Sequence, residues 1–367
     1  MNKTPLYQAH QKHGAKLVDF AGWSMPLQYT GVIDEYHTVR GQAGLFDVSH
    51  MGRLLFSGKG ALDFLQWVTT NDVAKLSVGQ AQYSMVCNPE GGIKDDVFLY
   101  RTGSDEYLLC VNASNREKIS QWLSKQQAKR PNGFTFHDRS PQMAQLALQG
   151  PSSKSILREI LDNDSLEDLK PRWCLDTMVS GGNVLITRTG YTGELGYELY
   201  LSADQAGDLW KRLIQVGKSH GLKPAGLGAR DLLRLDMGYF LYGNDLTEET
   251  TPVEAGAEWV VGFQKSEFIG STVLKKQRED GPSRRLIAFE LLEKAVPRHD
   301  MAIYVQDELV GQVSSGNLSP ILQKGIGLGY VSPQHSCEGS PLTIQVRGKK
   351  VPAVVVKAPF YKRKASN

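Results

Sequence analysis

Three short segments of the chain combine glycines with side chains that can do chemistry. The first is residues 190–198, with the sequence GYTGELGYE, in which three glycines accompany two tyrosines and two glutamates. Glycine reaches left-handed backbone conformations without steric cost and lets a ligand approach the main chain closely. The segment is therefore either a hairpin turn between two core strands or a loop that lines a flat, polar ligand.

The second segment, residues 88–96, has the sequence NPEGGIKDD and leads into an apolar strand. Because strand side chains alternate between faces, Asp95 and Asp96 must point in opposite directions, with Asp96 on the face of Phe98 and Tyr100. A carboxylate on an aromatic strand face is a candidate acid, base or stabiliser of positive charge. The alternative is that both acids only cap a hairpin.

The third segment, residues 225–235, has the sequence AGLGARDLLRL and predicts a glycine turn that leads into a helix. A dinucleotide site is excluded, because Asp231 stands at the third glycine position and no hydrophobic strand precedes the turn. Arg230 offers a planar fork of donors to a carboxylate or an acceptor-rich heterocycle. The alternative is an internal ion pair with Asp231 or Asp236.

The elements that position these segments are strands with interspersed helices. Helical spacing of apolar residues predicts helices at 60–69, 114–126, 151–161 and 203–216. Turn residues bound predicted strands at 54–56, 97–100, 107–111 and 145–148. The elements do not follow a strict βαβ alternation, so the sequence predicts an α+β fold.

The last quarter of the chain has a different pattern. A polar run that ends in Gly-Pro, residues 275–283, is interpreted as a linker. Beyond it the sequence predicts short strands at 286–291, 302–305, 311–313, 342–346 and 351–356. Regular short strands separated by Gly, Asn and Pro turns favour a small β-barrel or sandwich.

Composition limits the class of protein. The chain has 367 residues, of which 41% are hydrophobic and 22% charged, and its formal net charge is +3. This profile is typical of a globular protein of two or three domains, and the near-balanced charge gives no case for a nucleic-acid partner. No apolar stretch approaches 18 residues and the N-terminus lacks a targeting pattern, so we expect a soluble, cytoplasmic protein without membrane contact.

The four cysteines, at positions 87, 110, 174 and 337, are scattered along the chain. Their spacing excludes the usual zinc and iron–sulfur patterns and a disulfide framework, so we predict reduced thiols and no metal.

The order and spacing of the three segments resemble the aminomethyltransferase family, the T proteins of the glycine cleavage system. The resemblance extends over essentially the whole chain, through residues 4–6, 18–27, 44–52, 314–320 and 357–361. It implies a three-lobed fold in which residues 1–280 form a folate-binding region of two lobes. Residues 281–367 would form a C-terminal β-barrel domain, with tetrahydrofolate in a central channel.

The resemblance also implies a reaction and its partners. The aminomethyl group carried on the lipoyl arm of the H protein would give its one-carbon unit to tetrahydrofolate. The products would be 5,10-methylenetetrahydrofolate, ammonia and dihydrolipoyl H protein. Tetrahydrofolate would be the one-carbon acceptor, with no metal, pyridoxal phosphate, NAD or flavin of the protein's own. The P and L proteins would be the other system members, and we expect a monomer.

Carried over position by position, the resemblance implies a role for each site residue. Asp96 would be the active-centre acid, acting by orientation and electrostatics on a positively charged one-carbon unit, and Asp95 would be structural. Glu198 would accept from the donors of the pterin ring and Arg230 would donate to its acceptors. Further pocket candidates are Tyr191, Tyr239, Tyr100, Met51 and Asn112.

Two positions depart from the family pattern. Lys94 replaces a usually apolar residue and Met237 a usually small one. By alternation Lys94 lies on the Asp96 face, where it either places a cation near the site or marks the solvent end of the hairpin. The solvent interpretation is favoured.

Three alternatives to a T protein share features with this sequence. A folate-dependent protein of iron–sulfur assembly would need a Lys-Gly-Cys-Tyr type motif, and no cysteine here has that context. Flavin-dependent dimethylglycine or sarcosine oxidoreductases need a flavin domain ahead of the folate-binding part, which we do not expect because the motif begins at residue 4. A folate-binding or H-protein-docking module without catalysis is the non-enzyme alternative.

Overall fold

The structure is a computed structural model that describes residues 1–131, 133–161, 166–179 and 181–363. Within these ranges the α-helices are α1 (Tyr7–Lys12), α2 (Val32–Gly41), α3 (Ala61–Val68), α4 (Arg116–Lys129), α5 (Ser153–Arg158), α6 (Ala206–Gly217), α7 (Leu227–Asp236) and α8 (Ser271–Asp280). The first ten strands are β1 (Lys16–Phe20), β2 (Trp23–Gln28), β3 (Ala43–Asp47), β4 (Gly52–Ser57), β5 (Ala81–Cys87), β6 (Ile93–Arg101), β7 (Glu106–Val111), β8 (Thr135–Asp138), β9 (Met143–Gln149) and β10 (Cys174–Val179). The others are β11 (Gly182–Thr187), β12 (Gly196–Ser202), β13 (Leu222–Pro224), β14 (Arg285–Leu291), β15 (Ala302–Val305), β16 (Glu308–Ser319), β17 (Lys324–Val331), β18 (Pro341–Val346) and β19 (Lys349–Val356).

The chain divides into two compact units. The first comprises Met1–Gln66, Val73–Tyr83 and Val97–Arg230, and the second Trp67–Asp72, Ser84–Asp96 and Asp231–Asn367. The predicted boundary at residue 280 and the unit boundaries fall at different positions, and the domain division stays a prediction.

A six-stranded sheet organises the first unit, in the order β10-β11-β12-β9-β3-β13. Its strands pair antiparallel except β13, which runs parallel to β3. One face carries apolar side chains such as Leu146 and Leu199, which form the main core with residues of α5 and α6, among them Trp210. The opposite face carries Gln145, Glu198 and other polar residues, because side chains alternate along each strand.

The first unit also contains β1 and β2, which form a two-stranded sheet, and most of a five-stranded sheet in the order β5-β6-β7-β4-β8. Strands β5 and β6 each have residues in both units. Along β6 the burial alternates as the sequence predicts for its first half: Asp95 is fully buried and Asp96 is half-buried.

The C-terminal strands of the second unit form a closed barrel in the order β14-β17-β16-β15-β18-β19. Its interior is apolar and includes Phe289, Ile303 and Ile344, none of which is exposed to solvent. The structure confirms the expected α+β fold with a C-terminal β-barrel, and apolar side chains fill the interior of the barrel.

Strand β17 was not predicted, because its sequence KGIGLGYV reads as turn-forming. Its glycines are needed because neighbouring side chains pack closely against the backbone of this strand. A Cβ atom on Gly327 would lie 2.5 Å from the ring of Phe289, and one on Gly329 would lie 2.7 Å from Ile303.

The predicted linker is wrong over most of its length, because Ser271–Asp280 forms α8. Leu274 is fully buried and anchors this otherwise polar helix, and the chain leaves it at Gly281 in a conformation with φ of +84°. The four predicted helices correspond to α3, α4, α5 and α6, with α5 shorter than expected. Among the described residues, no helix is long and apolar enough to cross a membrane.

Candidate active site

The loop between β11 and β12 contains the first glycine segment, and the side chain of Gln149 fixes its shape. Thr192 Oγ1 donates to Gln149 Oε1 at 2.8 Å, and Gln149 Nε2 donates to a loop carbonyl at 3.2 Å. A Cβ atom on Gly190 or Gly196 would lie 2.0 or 2.3 Å from this glutamine. The glycines therefore make room for an internal brace, and the segment is the connection of a hairpin.

The two glutamates of this segment have different surroundings. Glu194 forms an ion pair with Arg40 at 2.9 Å, and the two side chains are 2% and 5% exposed. Arg40 Nη1 also donates to the carbonyl oxygen of Thr192 at 2.6 Å. Glu194 is thus a structural partner of α2, which leaves Glu198 as the carboxylate on the polar face of the sheet.

Two neighbouring side chains hold one oxygen of Glu198. Gln145 Nε2 donates to Glu198 Oε2 at 2.9 Å, and the hydroxyl group of Tyr200 donates to the same oxygen at 3.1 Å. Gln145 lies on β9, which pairs with β12, and Tyr200 lies two residues beyond Glu198 on the same face. Glu198 is half-buried, and no described residue donates to Oε1.

The hydrogen bonds continue through a buried chain of hydroxyl groups. Tyr200 Oη lies 3.3 Å from Tyr100 Oη, which lies 3.3 Å from Thr189 Oγ1. The rings of Tyr100 and Tyr200 meet edge to face, with centroids 5.7 Å apart. Tyr100 is only 1% exposed. This predicted pocket residue therefore contributes its hydroxyl group to the network, with its ring packed inside the protein.

Arg230 lies in the first turn of α7 and faces an aromatic ring. Its guanidinium carbon is 4.6 Å from the ring centroid of Tyr191, and both residues are half-buried. The alternative of an ion pair with a neighbouring aspartate is wrong, because Asp231 pairs with Arg234 at 2.8 Å. No described residue accepts a hydrogen bond from Arg230. Its donors are available for a ligand.

The glycine turn before α7 is fixed by Glu35, which is fully buried. The amide of Gly226 donates to Glu35 Oε2 at 2.8 Å, and the amides of Thr30 and Gly31 donate to Oε1 at 3.0 and 3.3 Å. A Cβ atom on Gly226 would lie 2.4 Å from the carbonyl oxygen of Leu27. This glycine therefore permits close packing that places α7, and with it Arg230.

Burial sets the charge states around Glu198. Burial raises the pKa of Glu198, against the opposing effects of the Arg230 charge and the hydrogen bonds from Tyr200 and Gln145. Burial also lowers the pKa of Arg230, which nevertheless stays a cation. The pKa of Tyr100, like that of Tyr200, is raised far above its ordinary value, so both tyrosines are neutral.

Two buried basic residues, Arg53 and His50, lie near this cluster within the first unit. Arg53 is 1% exposed, and its Nη2 donates to three carbonyl oxygens, including those of Ser49 and Ser140 at 2.9 Å each. His50 is 2% exposed; burial lowers its pKa to about 3, so its imidazole is neutral. Met51 is half-buried and packs against the cluster that contains the buried tyrosines.

The acid pair of the second segment belongs to the second unit and is described separately. Asp95 is fully buried and Asp96 half-buried. The interpretation of Lys94 as the solvent end of the hairpin is wrong: its side chain is only 12% exposed, and Nζ lies 2.6 Å from Glu248 Oε2. Burial and the charges of Asp95, Glu248 and Asp96 raise the pKa of Tyr242.

The two remaining pocket candidates, Asn112 and Tyr239, belong to different units. Asn112 is half-buried at the end of β7 in the first unit. Tyr239 is 38% exposed in the second unit, just beyond α7. Among the described residues, no group of three or more His, Cys, Asp or Glu side chains is arranged to hold a metal ion.

Sequence reasoning did not single out Gln145 and Tyr200. The available signal was a glutamine within the apolar run of β9 and the two-residue spacing of Glu198 and Tyr200 along β12. That spacing places the two side chains on one face of a strand.

Two models of known protein domains match this chain, one to each of its two parts. Residues 6–265 match the model of the GCVT N-terminal domain, and residues 284–362 match that of the glycine cleavage T-protein C-terminal barrel domain. The chain belongs to the glycine cleavage T-protein family.

Relatives in this family match along their whole length. A protein named aminomethyltransferase from Halothermothrix orenii is 49% identical and covers 98% of this chain and 100% of its own. Another of that name, from Bacillus subtilis, is 43% identical and covers 99% and 100%. The crystal structure of glycine cleavage system aminomethyltransferase T from Bartonella henselae has a TM-score of 0.92 at 33% identity, covering 99% of each chain.

Proposed function

We propose that the protein is the aminomethyltransferase of a glycine cleavage system, with tetrahydrofolate as the one-carbon acceptor. The observation that carries the proposal is that Glu198 and Arg230 both keep hydrogen-bonding capacity. Among the residues that the structure describes, none donates to Glu198 Oε1 and none accepts from the guanidinium group of Arg230. The two side chains occur in a chain that matches its family over both parts. A flat ring with donors and acceptors in one plane suits this pair.

The reaction moves one carbon atom from sulfur and nitrogen to two folate nitrogens. The aminomethyl carbon on the lipoyl arm of H protein loses its C–S bond and its bond to the amino nitrogen. It gains bonds to N5 and N10 of tetrahydrofolate. The two N–H protons of the folate end on the dihydrolipoyl thiol and on the leaving ammonia, so atoms and charges balance.

Glu198 and Arg230 orient the pterin in this proposal. Glu198 accepts hydrogen bonds from the pterin ring, and Arg230 donates hydrogen bonds to it. The aromatic ring of Tyr191 packs against the guanidinium group of Arg230. The remaining candidates have smaller roles, with Tyr239 and Met51 as apolar contacts, Asn112 as a polar contact and Tyr100 in the supporting network.

Asp96 is the proposed catalytic acid. Loss of the thiol or of ammonia leaves an iminium-like, positively charged carbon, which a fixed carboxylate stabilises in a site of low dielectric constant. The same carboxylate orients the attacking folate nitrogen. Asp95, which points the other way and is fully buried, supports the strand.

The setting follows from the same proposal. Lipoylated H protein is the partner, the P and L proteins are the other members of the system, and the protein is a cytoplasmic monomer. Residues 1–280 constitute the folate-binding region and residues 281–367 the barrel domain.

The test is ammonia release from aminomethylated lipoyl H protein, with and without tetrahydrofolate. We expect folate-dependent release that falls by a factor of about 100 or more in Asp96→Asn, the scale for a lost electrostatic group. Glu90→Gln is the matched control, since it removes a carboxylate from the exposed turn of the same hairpin and should keep full activity. Near-normal release by Asp96→Asn would refute the role of this residue.

An absence of release by the wild-type protein, with folate still bound, would favour the folate-binding module without catalysis. That outcome would refute the transferase proposal but leave the folate site intact.

A further inference from the structure

The hydrogen bonds of Glu198 are unequally divided between its two oxygens. Both protein donors, Gln145 Nε2 and the Tyr200 hydroxyl group, converge on Oε2 at 2.9 and 3.1 Å. A carboxylate oxygen accepts about two hydrogen bonds, so Oε2 is fully used. Oε1 has no donor among the residues that the structure describes.

The orientation of Gln145 is itself fixed. Cys110 Sγ donates to Gln145 Oε1 at 3.7 Å, so the amide presents its acceptor end to the thiol and its donor end to Glu198. Nε2 also lies 3.0 Å from Tyr200 Oη, which places that oxygen as an acceptor. The hydroxyl group has one proton and two acceptors within reach, Glu198 Oε2 at 3.1 Å and Tyr100 Oη at 3.3 Å. The carboxylate is both nearer and charged, so we assign the proton to Glu198.

We propose that Gln145 and Tyr200 are positioning residues that keep Glu198 an acceptor and present a single oxygen, Oε1, to the donor edge of the ligand. This inference rests on the proposed function, since it takes the ligand to be a reduced folate. Gln145 and Tyr200 lie outside the set of site residues that the family resemblance implies. By this positioning, the two residues select a ring that offers one N–H donor to Oε1 of Glu198 and acceptors to Arg230.

Four charged or titratable groups surround Glu198, and burial raises the pKa of Glu198 itself. They are Arg230 on α7, Tyr200 on β12, Tyr100 on β6, and Cys110 on β7. Burial raises the pKa of Cys110 to about 12, the pKa values of both tyrosines are also raised, and Arg230 stays a cation. Loss of either donor to Oε2 favours the protonated form of Glu198 and raises its pKa further.

The experiment measures binding of 5-formyltetrahydrofolate, a chemically stable reduced folate, between pH 5 and 9. The variants are Tyr200→Phe and Gln145→Leu, with Tyr197→Phe as the matched control. Tyr197 lies on the same strand, is equally buried, and faces the opposite side of the sheet. We expect both test variants to bind about tenfold more weakly at pH 7, with the fall in affinity on acidification beginning at a higher pH. The control should keep the wild-type pH profile.

A purely structural role would weaken binding equally at every pH, and an unchanged pH midpoint in both test variants would overturn the proposal. Glu198→Gln separates this failure from failure of the proposed function. If Glu198→Gln binds the folate as well as the wild type, the proposed role of Glu198 is wrong. If it binds poorly while the positioning variants keep the wild-type midpoint, only the positioning inference is wrong.

A second measurement needs no ligand, so it also applies if the protein does not bind 5-formyltetrahydrofolate. The free energy of unfolding is measured against pH for the wild type and for each positioning variant, with and without the additional substitution Glu198→Gln. The difference within each pair isolates the titration of Glu198. Its midpoint should be higher in Tyr200→Phe than in the wild type. An equal midpoint would overturn the inference even if one of the variants is too unstable for binding studies.

Discussion

The two faces of the six-stranded sheet each carry a carboxylate, Asp47 buried and Glu198 half-buried, and the two are used in opposite ways. Asp47 on β3 lies on the face covered by helices, while Glu198 on β12 lies on the polar face. Asp47 Oδ2 is 2.8 Å from His10 Nε2, and Oδ1 accepts from the amide of Ser49 at 2.8 Å. Both oxygens of Asp47 thus accept hydrogen bonds, whereas no residue in the described part of the chain donates to Oε1 of Glu198.

The pKa directions reflect this difference. Burial alone would raise the pKa of Asp47, but the hydrogen bonds and charge of His10, with help from Thr4 and Ser49, hold it at about 2. For Glu198 burial prevails and the pKa is raised. A carboxylate that holds a fold is saturated by the fold, and one that serves a ligand keeps hydrogen-bonding capacity at a cost in stability.

The largest effect that would sharpen this comparison is the loss of folate affinity in Glu198→Gln. The glutamine can turn its oxygen toward Gln145 and Tyr200, which keeps their hydrogen bonds, but its amide NH2 group, a donor, then faces the ligand's donors. We expect affinity for 5-formyltetrahydrofolate to fall by about 100-fold, or roughly 3 kcal/mol, and unfolding stability to change by less than about 1 kcal/mol. Calorimetric titration and urea unfolding measure the two quantities. A variant that unfolds much more easily would show that Glu198 is a structural acid after all.

The reverse result is expected on the other face. In Asp47→Asn the amide group cannot accept from both His10 and Ser49, so one buried donor loses its partner. Stability in urea should fall by about 2 kcal/mol. Folate affinity should stay within about twofold of the wild-type value, because Asp47 lies on the helix-covered face. Weak folate binding by a well-folded Asp47→Asn protein would break the comparison.

The pH dependence of stability should have opposite signs for the two residues. The pKa of Asp47 is lowered by folding, so its contribution is complete above its unfolded pKa of about 3.9 and is lost as pH falls through about 2. The pKa of Glu198 is raised, so its contribution is complete below its unfolded pKa of about 4.3 and is lost as pH rises through the folded value. The stability difference between wild type and each variant, measured from pH 3 to 7, checks both signs. Slopes of the same sign would contradict the assigned surroundings.

The features that sequence alone could predict are those set by local pattern. Alternation along β6 separated Asp95 from Asp96, and short strands with turn residues indicated the barrel. The hydrogen bond from Gln145 to Glu198 could not be predicted, since Gln145 is 53 residues away and meets Glu198 only through the register of β9 and β12. Strand register depends on the whole sheet and is not written in either strand.

The same limit explains the errors at Lys94 and at α8. The partner of Lys94, Glu248, is 154 residues away, so local pattern could only suggest solvent for a charged side chain. Helix α8 has the composition of a linker and is held by its buried Leu274. In both cases a tertiary contact decided the outcome against a sound local expectation.

The smallest expected effect is that of a polar side chain that does not contact Glu198 directly. Thr189 is the third hydroxyl group along the chain that begins at Tyr200, and it bonds to Tyr100 at 3.3 Å but not to Glu198. Replacement of Thr189 by valine removes that weak bond, together with the 2.5 Å hydrogen bond between Thr189 Oγ1 and Thr187 Oγ1, and keeps the branched shape of the side chain. Because hydrogen-bond effects fall off with each neutral link, we expect folate affinity to change by less than about threefold, or roughly 0.6 kcal/mol. The pH midpoint of binding should match that of the wild type. If Thr189→Val instead shifts that midpoint as far as Tyr200→Phe does, the hydroxyl chain acts as one cooperative unit, and the open oxygen of Glu198 depends on the whole polar face rather than on its two direct donors.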